Sequence, residues 1–234
     1  MPLNAFCDAI RGEAAVTTPY LKKHSIMHIF DCHTHHSHQP YAIINAEASN
    51  IAFDEHLHYS AGIHPWWIEN SSESIISATM QLATTTRNVV AIGECGIDHA
   101  ISTPLSLQHQ IFEKHIALSE ATNKPLIIHC VRAWQELLAM HRAAKPHQPW
   151  IIHGFRAKPS IAEKLLQEGF FLSFGQRFNA ESLLITPAER MFVETDDSQL
   201  DIATVAQLVA KAASLTIEQL ACQVNSNAAK LFGL

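Results

Sequence analysis

Short apolar runs recur along the chain, each followed by a polar turn and then by a longer segment with apolar residues at three- and four-residue spacing. That alternation is the signature of strands leading into helices in a parallel sheet. The runs that read as strands are Met27 to Phe30, Tyr41 to Ile44, Tyr59 to Ile63, Val89 to Ile92, Leu126 to Ile128, Trp150 to Ile152, Phe170 to Phe174 and Met191 to Val193. Helical periodicity marks Ser74 to Thr85, Ser106 to Ala121, Ala133 to Ala144, Pro159 to Gln167, Ile202 to Ala213 and Ile217 to Phe232. In the second of these the stripe is Ile111, Phe112, Ile116, Leu118 and Ala121. Pro159 near one helix start, Gly169 past its end and Thr216 as an N-cap follow known terminal preferences. Eight runs predict a closed parallel (β/α) barrel. The link between the first two runs is too short for a full outer helix, so the first unit is reduced. A doubly wound open sheet would call for a glycine-rich phosphate loop after the first strand, and none is present.

The residues at the ends of these runs carry the chemistry. The first run leads into Asp31, His33 and His35, the fourth into Glu94 and Asp98, the fifth into His129, the sixth into His153 and the eighth into Glu194 and Asp196. In a parallel barrel the C-terminal strand ends share one face, so these residues are expected to form one cluster. His33 and His35 lie two apart and should point the same way on an extended segment. Four imidazoles and two carboxylates in one confined mouth need cations or each other, and a metal centre is the economical explanation. Nitrogen and oxygen donors without thiolate suit zinc, manganese, cobalt or magnesium, and six ligands are enough for two ions bridged by a carboxylate. Cys32, Cys95 and Cys130 each sit one residue from a proposed ligand, and alternation would turn them toward the helix layer as packing residues. The chain holds 16 histidines. Those outside the cluster, His115 and His141 among them, are read as solvated or loop residues without a role.

Composition narrows the setting. A chain of 234 residues with 47% hydrophobic and 16% charged content is an ordinary globular protein of one-barrel size. The formal charge of -6 excludes the broad basic surface that non-specific nucleic-acid binding draws on, so a polyanion must be held locally. Five widely spaced cysteines without a C-x-x-C pair argue against a disulfide framework or a zinc knuckle and fit a reducing cytoplasm. No apolar run approaches the roughly 18 residues of a membrane span, and the first 25 residues lack a signal-peptide core.

Seven segments taken in order, FDCHTH (Phe30 to His35), AGIHPW (Ala61 to Trp66), AIGECGID (Ala91 to Asp98), PLIIH (Pro125 to His129), IIHGF (Ile151 to Phe155), FVETD (Phe192 to Asp196) and NAAKLFGL (Asn227 to Leu234), resemble the TatD-type metal-dependent deoxyribonucleases of the amidohydrolase-like barrel superfamily. The resemblance spans residues 27–234, taken as a single TIM-type barrel domain, and leaves residues 1–26 as an N-terminal extension without an assigned role. It implies one or two divalent cations, commonly magnesium, with manganese or zinc also compatible with the ligand types, and hydrolysis of phosphodiester bonds in DNA ends or single strands. Carried over by position, His33, His35, Glu94 and Asp196 hold a first metal, and Glu94 bridges to a second held by His129 and His153. Asp196 also orients or deprotonates the attacking water. His64 resembles a histidine near the substrate phosphate, and Asp98 a partner that orients a ligand. Arg132 stands one place later than the usual arginine after the fifth strand. Arg156 and Lys158 replace a serine-glycine loop and are candidate phosphate contacts, and Ser198 stands where a proline is usual. These departures bear on the substrate groove, so a metal-dependent hydrolase of a small ester, amide or phosphoester is the alternative.

Overall fold

The computed structural model describes residues 28–46 and 53–234. The N-terminal extension and Met27, the first residue of the expected opening strand, lie outside the described residues. The elements run β1 (Asp31–Thr34), β2 (Ala42–Ala46), β3 (His58–Ala61), α1 (Glu73–Thr85), β4 (Val89–Asp98), α2 (Leu105–Thr122), β5 (Leu126–Val131), α3 (Trp134–Ala144), β6 (Trp150–Ile152), α4 (Pro159–Gln167), β7 (Phe171–Phe174), α5 (Ala180–Ile185), β8 (Met191–Val193), α6 (Ile202–Ala212) and α7 (Ile217–Phe232). Each strand pairs in parallel with the next, from β1 to β8. A bridge between Thr34 and Asp196 brings the last strand's exit against the first, so the barrel is nearly closed. No described helix separates β1 from β2, as the short link predicted. No helix among the described residues is long and apolar enough to cross a membrane.

The helices end where local chemistry stops them. Ser72, Asp201 and Thr216 accept backbone N–H bonds at the starts of α1, α6 and α7, the last within a reciprocal capping box with Gln219. Asn123, Lys145 and Gly233 close α2, α3 and α7 in the left-handed conformation. Sequence periodicity placed every one of the longer helices and missed the six-residue α5, which is too short to display a period.

Several strands depart from their apolar runs, β2 ending at Ala46 and β3 at Ala61 among them. Ile29 and Phe30 are buried but precede pairing, and the Phe30 N–H is taken by Asn225 Oδ1 at 2.9 Å. β1 therefore begins at Asp31, and His33 lies inside it. β4 and β5 continue past their apolar ends, so Glu94, Asp98 and His129 sit within strands.

Two apolar layers hold the barrel. Ile44, Tyr59, Ile92, Ile97, Ile128, Trp150 and Leu172 face the helices and pack against Phe112, Leu137, Leu165 and Val209. Inside, Phe30, Cys32, Ile43, Ala91, Ile127, Ile151, Phe171 and Phe192 fill the centre. α7 closes the end opposite the mouth, with the Phe232 ring 5.8 Å from Phe30 and 5.9 Å from Phe192. The expectation for Cys32 is thus corrected: it points into the barrel, not to the helices. The register of β1 against β2 shifts between Asp31 and Thr34, so a two-residue alternation does not run through that segment. Cys95 and Cys130 do pack on the outer side.

Candidate metal centre

Glu94 is the hub of the mouth. It rides on β4 at a place where the register against β5 also shifts, between Ile92 and Cys95, and its N–H donates to Asn45 Oδ1 at 3.1 Å. Gly96 makes the close approach of β4 to β5 possible. Its φ is +145°, and a Cβ there would lie 2.0 Å from the His129 carbonyl oxygen. Glu94 Oε2 faces His33 Nε2 at 3.2 Å and His35 Nε2 at 3.4 Å. Its Oε1 faces His153 Nε2 at 2.7 Å, His129 Nδ1 at 3.0 Å and His64 Nε2 at 3.1 Å. One carboxylate therefore stands between two histidine groups, one per oxygen. Burial works to raise the Glu94 pKa, but the ring nitrogens of His153, His129 and His33 outweigh it and hold the carboxyl well below the usual range.

Asp196 completes the first group, with Oδ1 3.7 Å from His33 Nε2 and 3.6 Å from His35 Nε2. Its backbone is left-handed, a conformation aspartate tolerates better than most residues. The N–H of Asp196 donates to the His33 carbonyl at 2.9 Å, and the His35 N–H donates back to the Asp196 carbonyl at 3.0 Å. This clamp joins the ends of β1 and β8. Burial lifts the Asp196 carboxyl above its ordinary range against the pull of His153.

The donor set fits divalent cations. His33 is fully buried and neither of its ring nitrogens finds a hydrogen-bond partner, although Nε2 faces two carboxylates. An unpartnered buried nitrogen is costly unless a cation takes its lone pair. Two other rings have carboxylates behind them, the arrangement that aims a histidine at a metal. His129 Nε2 lies 3.1 Å from Asp98 Oδ2, which leaves Nδ1 toward Glu94. His153 Nδ1 lies 3.4 Å from Glu194 Oε1, which leaves Nε2 toward Glu94. His64 differs. Its Nδ1 accepts the Trp66 N–H at 3.1 Å, so its Nε2 carries the proton and is a donor.

Four further residues support the centre; the sequence places Asp31 and Glu194 in the strand-end cluster without a specific role, and gives Trp66 and His115 none. Glu194 is fully buried behind His153 and also accepts the Gly154 N–H. Trp66 donates its indole N–H to Asp98 Oδ2 at 2.8 Å, and with His129 it outweighs burial to keep that carboxyl ionised. Asp31 accepts both the N–H (3.0 Å) and hydroxyl (2.6 Å) of Thr195, the residue before Asp196, and burial pushes it up to about 7. His115 is buried, not solvated: its Nε2 accepts the Ile63 N–H at 2.9 Å, next to His64, and its Nδ1 donates to the Ile111 carbonyl at 2.8 Å. Glu194 stands beside Asp196 in the same strand-end motif, which places it in the cluster but does not say which ligand it supports. His115 stands four residues after Ile111 on the buried face of α2, so helical spacing could have flagged its burial but not its partner.

The open side of this cluster is a cavity of about 470 Å³ lined by His35, His64, Glu94, His129, His153 and Asp196 with Asn45, Trp66, Trp67, Asn70 and Ile75. The predicted cationic contacts lie elsewhere. Arg132 is exposed after β5 in a left-handed turn, Lys158 is exposed at the start of α4, and Arg156 lines a separate hollow with Arg177 and Phe178. Ser198 is buried, and its carbonyl contacts His36 Nε2 at 2.7 Å. Burial raises the thiols of Cys32, Cys95 and Cys130 above their ordinary range, consistent with packing and not nucleophilic roles. Cys222, on α7, is disulfide-bonded, so the chain is not free of such bonds.

Residues 11–233 match the family model described as TatD related DNase. A protein of Pantoea ananatis named 3'-5' ssDNA/RNA exonuclease TatD is 30% identical over 225 residues, covering 82% of this chain and 85% of its own. A human protein named 3'-5' RNA nuclease TATDN2 is 34% identical over 147 residues, covering 58% of this chain and 19% of its own. An Escherichia coli K12 protein described as an uncharacterized metal-dependent hydrolase, YcfH, is 29% identical and covers 80% of this chain and 75% of its own. Among solved structures, a TatD homolog from E. coli K12 superimposes with a TM-score of 0.78 at 21% identity, covering 88% of this chain and 98% of the other.

Proposed function

The chain belongs to the TatD related DNase family of metal-dependent hydrolases, and on that premise we propose that its mouth holds two divalent ions and hydrolyses phosphodiester bonds at nucleic-acid ends or in single strands, DNA foremost. The observation that carries this is Glu94, with one carboxylate oxygen toward His33 and His35 and the other toward His129 and His153. We assign His33, His35, Glu94 and Asp196 to one ion and Glu94, His129 and His153 to the other. Bound there, the ions supply charge for the phosphoryl oxygens and lower the pKa of water. Magnesium is the ion we propose first, and the nitrogen-rich donor set suits manganese or zinc as well.

The chain's own residues divide the rest of the work. Asp196 lines the cavity with a carboxyl lifted by burial, so it can take a proton from an attacking water. His64 presents an N–H donor to a phosphate oxygen. Asp98 and Glu194 keep His129 and His153 in the tautomers that ligate. Arg132, Arg156 and Lys158, outside the cavity, meet phosphates beyond the scissile one. Residues 27–234 act as one catalytic unit. The cytoplasm suits Cys32, Cys95 and Cys130, which are free thiols among the described residues. The nuclease names borne by relatives favour a phosphodiester over a small ester or amide substrate.

The test is metal reconstitution. Chelator-treated protein should regain hydrolysis of a single-stranded oligonucleotide with magnesium, manganese or zinc, and Asp196→Asn should lower kcat by two orders of magnitude or more with the fold intact. Absence of metal-dependent hydrolysis on single- and double-stranded DNA and on RNA would overturn the proposal.

A further inference from the structure

Three carboxylates, Glu94, Asp196 and Asp197, line the cavity, and among the described residues no lysine or arginine does. Ions at the centre can offset that charge for the scissile phosphate. They do nothing for the neighbouring nucleotide, whose phosphate meets an acidic rim. Within the cavity itself, contacts that hold it come from something other than cationic side chains.

The wall offers an apolar alternative. Trp66 and Trp67 both line the cavity yet remain 53% and 51% exposed, and Ile75 beside them is 42% exposed. Leaving two indoles half in water at a catalytic mouth forgoes much of their burial free energy, which marks a surface that something covers. Both rings sit on a firm base. Pro65–Trp67 form a short 3-10 turn whose His64 carbonyl accepts the Trp67 N–H at 3.0 Å. The Trp67 carbonyl accepts the Asn70 N–H at 3.1 Å and the Ser71 hydroxyl at 2.8 Å. Trp66 is committed: its indole N–H is spent on Asp98, and its ring stands edge-on to His64 at 5.0 Å and to His129 at 6.1 Å. Trp67 shares the turn and the cavity, and among the described residues no aromatic ring is paired with it.

Resting on the nuclease reading above, we infer that Trp67, with Trp66 and Ile75 at its side, is a stacking platform for an unpaired nucleobase next to the scissile phosphate. The occupant is a single-stranded nucleic-acid end. A base within a duplex is stacked on its neighbours and paired, so its face is not available to an indole. Stacking is tolerant of base identity because every base has a π-face, so the platform selects strandedness over sequence. Asn70 and Ser71, on the same wall, are polar groups within the cavity that can meet a base edge.

The experiment compares parent, Trp67→Ala and Trp67→Phe with their metal, on a single-stranded oligonucleotide and on the same strand carrying an abasic residue at the cleaved end. For the parent, removing the base should raise KM about tenfold, within the range of one base–aromatic stack. Trp67→Ala should raise KM on the intact strand by a similar factor, leave kcat within about threefold and be indifferent to the missing base. Trp67→Phe, which keeps a π-face, should recover most of the loss. Parent-like KM for Trp67→Ala on the intact strand, or an equal KM rise on intact and abasic strands, would overturn the platform while leaving the nuclease reading in place. Failure of the parent to hydrolyse either strand would overturn both. Thermal unfolding of each variant separates a KM effect from loss of the fold, and if Trp67→Ala does not fold, the KM of Trp67→Phe on the two strands decides between these outcomes.

Discussion

His115 offers a test of how the mouth is held from behind, and its perturbation is a change of pH. The ring is wholly buried on α2, takes the Ile63 N–H on Nε2 and gives its Nδ1 proton to the Ile111 carbonyl. Both positions are used in the neutral form, so a second proton would set an N–H against the Ile63 N–H. Burial, the largest cause, with the nearby Lys114 charge adding to it, lowers the ring's pKa from the ordinary 6.5 to about 4. The sign follows from which state binds protons first. Above pH 6.5 the ring is neutral folded or unfolded and pH does nothing through it. Between 6.5 and about 4 the unfolded chain takes up the proton and the folded one does not, so stability falls with pH; below about 4 the loss levels off. At about 1.4 kcal/mol per pH unit, that window caps the loss at about 3 kcal/mol.

The variant that isolates this is His115→Gln, whose amide can accept and donate at similar reach without titrating. Urea unfolding of parent and variant at pH 7.5, 6.5, 5.5 and 4.5, in the same metal condition, gives two stability curves. Carboxylates and metal release affect both alike, so only the difference counts. The gap should shrink by about 2 kcal/mol from pH 6.5 to 4.5 as the parent loses its advantage. A gap that stays constant to within 0.5 kcal/mol, a margin of about the usual additivity error, would refute the assignment of a neutral, bonded His115.

Gly96→Ala should be among the most damaging small substitutions, because the new Cβ meets the His129 carbonyl at 2.0 Å and the backbone is left-handed. A loss of about 3 kcal/mol or more in chemical denaturation is expected, and parent-like stability would contradict the close β4–β5 approach. Glu194→Gln keeps the shape behind His153 but removes the charge that fixes its tautomer. Calorimetric titration with manganese should show affinity lower by about 10–100-fold, and unchanged affinity would detach Glu194 from the centre. Arg156→Ala should leave the hydrolysis of a dinucleotide untouched and reduce the salt slope for a long single strand by about 0.7, the value of one lost phosphate contact. An unchanged slope would remove Arg156 from the substrate path.

How much of this was legible depended on whether a residue's role is local or held in a distant partner. His33, His35, Glu94, His129, His153 and Asp196 could be read together because parallel strands alternating with helices put strand ends on one face, and their side chains are the types that bind cations. The sides they face were less legible. Cys32 was assigned by alternation and lies inside, since the register shift after Asp31 lets both Cys32 and His33 turn inward, and such a shift exists only in the pairing of β1 with β2. His115 bonds a backbone group 52 positions away, and Asp31 bonds Thr195 across 164. Spacing puts His115 on the buried face of α2 and Asp31 at a strand end, but it names neither partner. Both act on the residue just before a functional one, Ile63 before His64 and Thr195 before Asp196. The ligands declare themselves by type, whereas the bonds that aim them are made to main-chain groups any residue could supply, and those stay silent until the chain is folded.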